Sequence, residues 1–165
     1  MTTAEPKTTL PAASLETARR SETIAQLNAC LATVSDLVMV AKQAHWNVRG
    51  PNFEGLHELF ELIAVEGREW TDLLAERAVT LGGTAHGTIH DIASATKLAP
   101  FPTDEHNWET LAREVHSRMI TAAEQLRGFA KAIEDELATQ DLCIEIIRDL
   151  EKRSWMVDAH LGSRR

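Results

Sequence analysis

Cysteine and tyrosine are scarce in this 165-residue sequence: tyrosine is absent, and the only two cysteines are Cys30 and Cys143. The two cysteines do not form a CxxC pair, so the sequence does not favour a disulfide framework or a zinc finger. Each lies inside an apolar pattern with helical spacing. We therefore expect both to be buried free thiols.

Basic residues are also fewer than acidic ones. The sequence has 17 Lys and Arg and 25 Asp and Glu, which gives a net charge of -8. This balance works against a broad basic surface for nucleic acid, so any DNA contact would have to come from a local segment. No uninterrupted apolar run approaches the roughly 18 to 20 residues that span a bilayer, and no segment of signal-peptide type begins the chain. We expect a cytoplasmic protein without membrane contact.

The length of the chain suits one domain with a substantial core. Residues 1–20 are rich in Thr, Ala and Pro without sustained periodicity, which predicts a flexible N-terminal tail. Residues 21–165 form the predicted domain. In this part of the chain, apolar residues recur at intervals of three and four, the spacing of amphipathic helices.

Four long helices are predicted from this spacing, over about residues 24–47, 53–81, 104–137 and 140–160. Asn52 is expected to cap the second helix. Thr103 is expected to cap the third, with Asp104 and Glu105 in its first turn. The link from 84 to 102 contains a short helical candidate at 89–96 and suits a crossover between helices. The predicted fold is all-α, a four-helix bundle of ferritin-like arrangement.

One face of the second helix carries the chemistry-bearing residues His57, Glu61, Asp72 and Glu76. His57 and Glu61 are four residues apart, as are Asp72 and Glu76. The eleven residues from Glu61 to Asp72 make about three full turns, so all four side chains lie along one stripe of the helix. At about 1.5 Å per residue, however, Glu61 and Asp72 are roughly 16 Å apart along the axis. One helix alone therefore cannot close a metal site with them.

The same positions are symmetric about a midpoint between Glu66 and Gly67. If two copies of this helix cross antiparallel there, the His57 and Glu61 end of one copy meets the Asp72 and Glu76 end of the other. A two-fold dimer would then contain two identical sites. Gly67 is expected to ease the crossing through its missing side chain.

His45, at the end of the first helix, could add a second imidazole to each site. Imidazoles with carboxylates suit iron, manganese or zinc, and three carboxylates favour hard, oxidised iron. The stripe therefore indicates a place where Fe(II) binds and becomes Fe(III). The alternative for each residue taken singly is a solvated carboxylate or a packed histidine.

Beyond this pattern, the sequence resembles a known family over about residues 22–160. The resemblance lies in KQAHWNVRGPNFEGLHELFE and DLLAERAVTLGG, with FPTDEHN and RDLEKRSWM further along. These motifs resemble those of the Dps proteins, or mini-ferritins. The resemblance implies a dodecameric shell of four-helix subunits, with a short extra helix in the crossover between helices 2 and 3. It also implies a ferroxidase that oxidises Fe(II), preferentially with hydrogen peroxide, and stores ferric mineral, protecting DNA from oxidative damage.

The resemblance also assigns the ligands of the non-haem iron (Fe2+/Fe3+). Catalytic and metal-binding roles fall on His45, His57 and Glu61 of one chain, with Asp72 and Glu76 of the partner subunit, at the dimer interface. Most relatives have Asp where Glu61 stands, so the ligand geometry can differ here. Trp46 is expected either to lie beside the iron and quench oxidising by-products or only to pack at the interface.

Two further functions remain open from the sequence. One is a non-specific, nucleoid-associated DNA-compacting protein in which the metal site is secondary. Residues 1–18 contain Lys7 alone as a basic residue, so phosphate contacts would fall on four arginines, Arg19, Arg20, Arg164 and Arg165. The other is a structural helical oligomer whose stripe has no present function.

Overall fold

Helices make up most of the chain in the computed structural model, which describes residues 16–162. They are α1 (Thr17–Asn47), α2 (Phe53–Thr80), α3 (Ile89–Ala95), α4 (Trp108–Ala132) and α5 (Leu137–Leu161). In this range there is no strand, and the one sheet-like contact is an isolated bridge between Arg49 and Asn107. The all-α prediction is confirmed.

The four long helices pack as two hairpins, α1 with α2 and α4 with α5, which meet mainly through α1 against α4 and α2 against α5. One continuous apolar core lies between them, and Phe60, Leu31 and Met119 are among its fully buried side chains. The short helix α3 lies in the crossover from α2 to α4 and packs on α1. The predicted bundle with an extra helix in its crossover is therefore confirmed.

Helix α1 is long and apolar enough to cross a membrane by length and composition alone. Most of its most apolar window is buried inside the molecule, against the other helices. The central helix of a packed core passes the same test.

The first helix begins earlier than its apolar pattern indicates. It starts at Thr17, so the last residues assigned to the tail are helical, whereas residues 1–15 of that tail lie outside the described residues. Arg19 explains the extension, because its guanidinium donates to the carbonyl of Ala132 and, at 2.8 Å, to Asp135 Oδ1. These contacts join the first turn of α1 to the turn between α4 and α5.

The predicted cap of the helix after the crossover is wrong. The helix α4 is capped by Asn107, whose Oδ1 accepts from the backbone N–H groups of Glu109 at 2.9 Å and Thr110 at 3.1 Å. Thr103 lies in the preceding turn. There the carboxylate of Glu105 accepts from the next two backbone N–H groups, both at 2.7 Å, and keeps the segment non-helical.

The corner between α1 and α2 is fixed by its contact with the start of α4. Arg49 N–H donates to His106 O at 2.8 Å, and Trp108 N–H donates to Arg49 O at 3.2 Å. Gly50 has φ +128°, and a Cβ there would lie 2.5 Å from Trp108 Cδ1, so only glycine fits. Asn52 is the N-cap residue of α2, as predicted, but its side chain makes no capping hydrogen bond.

The crossover is held on α4 by Arg118, a guanidinium that is only 6% exposed. Its Nη2 donates to the carbonyls of Ala99 at 3.1 Å and Pro100 at 2.7 Å, and its Nη1 forms an ion pair with Glu114. The ring of Phe101 lies 5.0 Å from the guanidinium carbon. One side chain therefore satisfies the carbonyls of a segment that has no helical partners of its own.

The C-terminal end of α2 is joined to the start of α5 by Glu136. Its carboxylate accepts from Arg77 Nη2 at 2.9 Å and from the backbone N–H of Thr139 at 2.8 Å, which caps α5. Partial burial alone would raise the pKa of Glu136, but the hydrogen bonds from Thr139 and Arg77 outweigh it and hold the pKa below its ordinary value. This connection fixes the part of α2 that carries Asp72 and Glu76.

We expect Glu136→Gln to lower the free energy of unfolding by about 1 to 3 kcal/mol at pH 7, because a cap and a charged hydrogen bond are lost. Since the folded pKa of Glu136 is depressed, its contribution is complete above the usual glutamate range and is lost as the pH falls through the folded pKa. Urea unfolding from pH 7 down to pH 3 should show the wild type and the variant converging in acid. Glu134→Gln, at an exposed neighbouring position, is the control and should match the wild type throughout.

Candidate metal centre

The imidazoles of His45 and His57 stack on each other at the corner between α1 and α2. Their ring centroids are 3.8 Å apart and the ring planes differ by 23°. The ring centroid of Phe53 lies 5.0 Å from that of His57, and the two ring planes are tilted by 31°. Two imidazoles that are twelve residues apart in the sequence therefore share one small site.

Reciprocal hydrogen bonds fix both rings. Nδ1 of His45 lies 2.8 Å from the carbonyl oxygen of His57, and Nδ1 of His57 lies 2.8 Å from the carbonyl oxygen of His45. A carbonyl oxygen can only accept, so each Nδ1 carries the hydrogen. In the neutral imidazole, Nε2 is then the atom with a free lone pair. Orientation of a ligand histidine by such a bond is the usual arrangement at protein metal sites.

Glu61 brings a carboxylate to the same place from one turn further along α2. Its Oε2 lies 3.5 Å from Nε2 of His45. Two ligands that are each about 2.1 Å from one ion are roughly 3 to 3.5 Å apart when they are neighbours in its coordination shell. The structure thus brings three of the five predicted ligands to one corner, and the separation of His45 Nε2 from Glu61 Oε2 is that of neighbouring ligands of one ion.

Lys42 is the residue that the sequence interpretation missed at this site. Its ammonium forms an ion pair with the same oxygen, Glu61 Oε2, and lies 5.4 Å from the centroid of the Trp46 ring. The hydrogen bond from Lys42 holds the pKa of Glu61 below its ordinary value. The sequence feature that could have predicted its presence is its position three residues before His45, which places both side chains on one face of α1.

Asp72 and Glu76 are not brought to this cluster within the subunit. Both are exposed on α2, which runs unbroken from Phe53 to Thr80, so Asp72 is about 16 Å from Glu61 along the axis. Over residues 16–162 of a single subunit, no group of three or more His, Cys, Asp or Glu side chains is arranged so that it could hold a metal ion. One subunit therefore presents two separate partial sites at opposite ends of one helix.

The expectation for Gly67 is wrong. Gly67 is buried, and a Cβ at this position would lie 2.7 Å from Cγ2 of Val38, so its missing side chain allows α1 to approach α2 inside the subunit. The outward face of α2 near the midpoint instead carries partly exposed apolar side chains. They are Leu62, Val65 and Leu73, each between 36% and 37% exposed.

The two cysteines lie away from this chemistry. Cys30 and Cys143 are buried and unpaired, as predicted, and burial raises the pKa of each thiol to about 12. A thiol with so high a pKa stays protonated at neutral pH. Both cysteines are therefore packing residues of the core, at a distance from the imidazole pair.

Known proteins are similar to this chain in sequence and in fold. A family model described as a ferritin-like domain matches residues 24–165. The "DNA protection during starvation protein" of Agrobacterium fabrum is 38% identical over 147 residues, which is 86% of this chain and 89% of that protein.

Two solved structures agree with this match. The Dps of Mycobacterium smegmatis has a TM-score of 0.86 at 32% identity, with 90% of this chain and 91% of that chain covered. The Dps of Vibrio cholerae, described as a member of a broad superfamily of ferritin-like diiron-carboxylate proteins, has a TM-score of 0.83 at 26% identity, with 89% and 93% covered. By sequence and by structure, this chain belongs to the Dps family of ferritin-like proteins.

Proposed function

We propose that this protein is an iron-oxidising and iron-storing mini-ferritin. The observation that supports this function best is the partial site of His45, His57 and Glu61, in which two oriented imidazoles and a carboxylate converge. The superfamily to which the Vibrio cholerae relative is assigned is described as one of diiron-carboxylate proteins, and its metal would be iron. We extend this metal assignment to this chain on the strength of these side chains.

The second half of the site comes from another copy of the chain. The Asp72 and Glu76 end of α2 mirrors the His57 and Glu61 end about the middle of the helix, so an antiparallel crossing of two α2 helices joins the two kinds of partial site. The apolar side chains on the outward face of α2 lie near that midpoint, where such a crossing would bury them. Two-fold pairs of this kind are the proposed units of a closed dodecamer.

The ligand set determines the chemistry. A ligand set of two imidazole Nε2 atoms and three carboxylates favours Fe(III) over Fe(II), because the negative oxygens stabilise the higher charge. Oxidation by hydrogen peroxide balances when two Fe(II) ions give up one electron each and the peroxide takes up two protons to become two waters. The ferric product hydrolyses and is stored as mineral inside the shell. Removal of Fe(II) and peroxide together would limit hydroxyl-radical damage to DNA in the cytoplasm.

DNA compaction is the weaker candidate. Of the four arginines that could bind phosphate, Arg19 is already bound to Ala132 O and Asp135, Arg20 is partly buried, and Arg164 and Arg165 lie outside the described residues. The net charge of -8 opposes a polyanion. Saturable condensation of DNA by the iron-free protein at low salt would favour this second function.

Anaerobic addition of Fe(II) followed by hydrogen peroxide tests the proposal. We expect peroxide to be consumed at one molecule for two Fe(II), with ferric absorbance rising in the protein fraction. His57→Ala should slow this reaction about a hundredfold or more, because an iron ligand and the ring that stacks on His45 are lost together. Size-exclusion chromatography should show the same assembly for the variant. Equal rates in the wild type and His57→Ala would contradict the proposed site.

A further inference from the structure

A positively charged side chain occupies the ligand cluster itself. The ammonium of Lys42 forms an ion pair with Glu61 Oε2, the oxygen that also lies nearest to Nε2 of His45. The two side chains are 20% and 38% exposed, so water screens this contact less than an ion pair on the open surface. A cation that binds Glu61 through Oε2 has to share this oxygen with Lys42 or displace it, and one that binds through the other oxygen still lies close to the ammonium.

Competition follows from charge and from space. A divalent ion beside Glu61 would be a few ångströms from the ammonium, and two like charges at that distance repel strongly where the solvent is partly excluded. A lysine has a flexible stem of four carbons and can therefore move aside. The ring of Trp46 offers it another position, because the ammonium already lies 5.4 Å from its centroid.

We infer that Lys42 is a built-in competing cation that weakens divalent metal binding at the His45, His57 and Glu61 cluster. The inference rests on the proposed function and adds a determinant of affinity to it. With no metal present, the ammonium neutralises Glu61 and keeps the cluster in place. When Fe(II) arrives, Lys42 moves towards Trp46. When the oxidised ion leaves, Lys42 returns to the carboxylate, so metal ions pass through the site and do not remain in it.

Cobalt(II) is a suitable probe because its visible absorbance reports coordination and it stays divalent without an oxidant. Titration of the full-length protein at pH 7, by calorimetry and absorbance, should show that Lys42→Met binds Co(II) about 10- to 100-fold more tightly than the wild type. Methionine keeps the apolar stem and removes the charge. Lys42→Arg keeps the charge and should bind Co(II) within about threefold of the wild type.

Lys152→Met is the matched control, since it removes the same charge from an exposed position on α5. We expect its Co(II) affinity to equal that of the wild type. Lys42→Gln is a second neutral variant in case methionine perturbs folding, which circular dichroism would reveal. Unchanged or weaker Co(II) binding in both neutral variants would overturn the role of Lys42.

His57→Ala separates this outcome from a failure of the proposed function. If Co(II) binding is lost in His57→Ala and also in the double variant with Lys42→Met, the cluster is the site being measured. If the wild type and Lys42→Met bind no Co(II) that depends on His57, the metal function and the role of Lys42 both fail. If Lys42→Met binds Co(II) and the wild type does not, the Lys42 ammonium excludes the metal completely under these conditions, which supports the inference.

Discussion

Co-expressed His57→Ala and Glu76→Ala subunits recover about a quarter of the wild-type rate of peroxide-dependent iron oxidation, if subunits pair at random in two-fold dimers. Each variant alone is expected to be nearly inactive, because every site in it lacks one ligand. In a mixed dimer, one site combines both defects and the other combines two intact halves. Half of the random pairs are mixed, which gives the expected fraction.

The recovery depends on the site being shared, so the choice of partner variants provides the control. His45→Ala and His57→Ala remove ligands from the same half, and a mixed dimer of these two has no intact site. Rates are measured on equal amounts of assembled protein, with the subunit ratio determined by mass spectrometry. Recovery in both mixtures, or in neither, would contradict a site built from opposite ends of two α2 helices.

Arg118→Ala is expected to lower the free energy of unfolding by about 2 to 4 kcal/mol, one of the largest effects of a single polar substitution in this chain. The carbonyls of Ala99 and Pro100 lose their donor, and the contact with Phe101 is lost as well. Glu114, which is 37% exposed, can be hydrated and adds less to the cost. Urea unfolding followed by circular dichroism measures the total.

Arg113→Ala provides a matched control on the same helix. Arg113 also forms an ion pair with a glutamate four residues away, Glu109, but both side chains are at least half exposed. Its removal should cost no more than about 0.5 kcal/mol. Hydrogen exchange should also distinguish the two variants, with protection lost over residues 97–102 in Arg118→Ala alone. Equal losses of stability would show that Arg118 does not hold the crossover.

Helical periodicity predicted the bundle well because burial of one face per helix imposes that spacing. The helix ends were harder to predict, since several residues could serve as caps. Thr103 and Asn107 are both good N-cap residues, and the choice of Asn107 depends on how Glu105 binds the turn between them. The start of α1 depends on a contact of Arg19 with residues more than a hundred positions away. Such a long-range contact cannot be predicted from the local sequence around Arg19.

Helix geometry also explains which part of the candidate site could be predicted from the sequence. The spacing of His57, Glu61, Asp72 and Glu76 reports the angular positions of side chains on a helix, and those are fixed by helix geometry. The meeting of His45 with His57 depends on the corner that joins two helices, and their shared site could only be suggested. Lys42 was missed because its importance comes from the single oxygen it contacts, which spacing does not reveal. Gly67 was misjudged because helix periodicity alone does not show which neighbour a glycine admits.

Each of the two stacked imidazoles donates a hydrogen bond to the backbone carbonyl of the other histidine, so the two residues are held as one rigid pair. Each ring is oriented by the backbone of the other residue's helix, so a rotation or shift of either helix moves both nitrogen donors at once. A deletion in the five-residue corner would therefore remove the pair as a whole and leave no imidazole usable on its own. The proposed metal site therefore depends on the length of the connection between α1 and α2 as well as on the identity of the ligand residues.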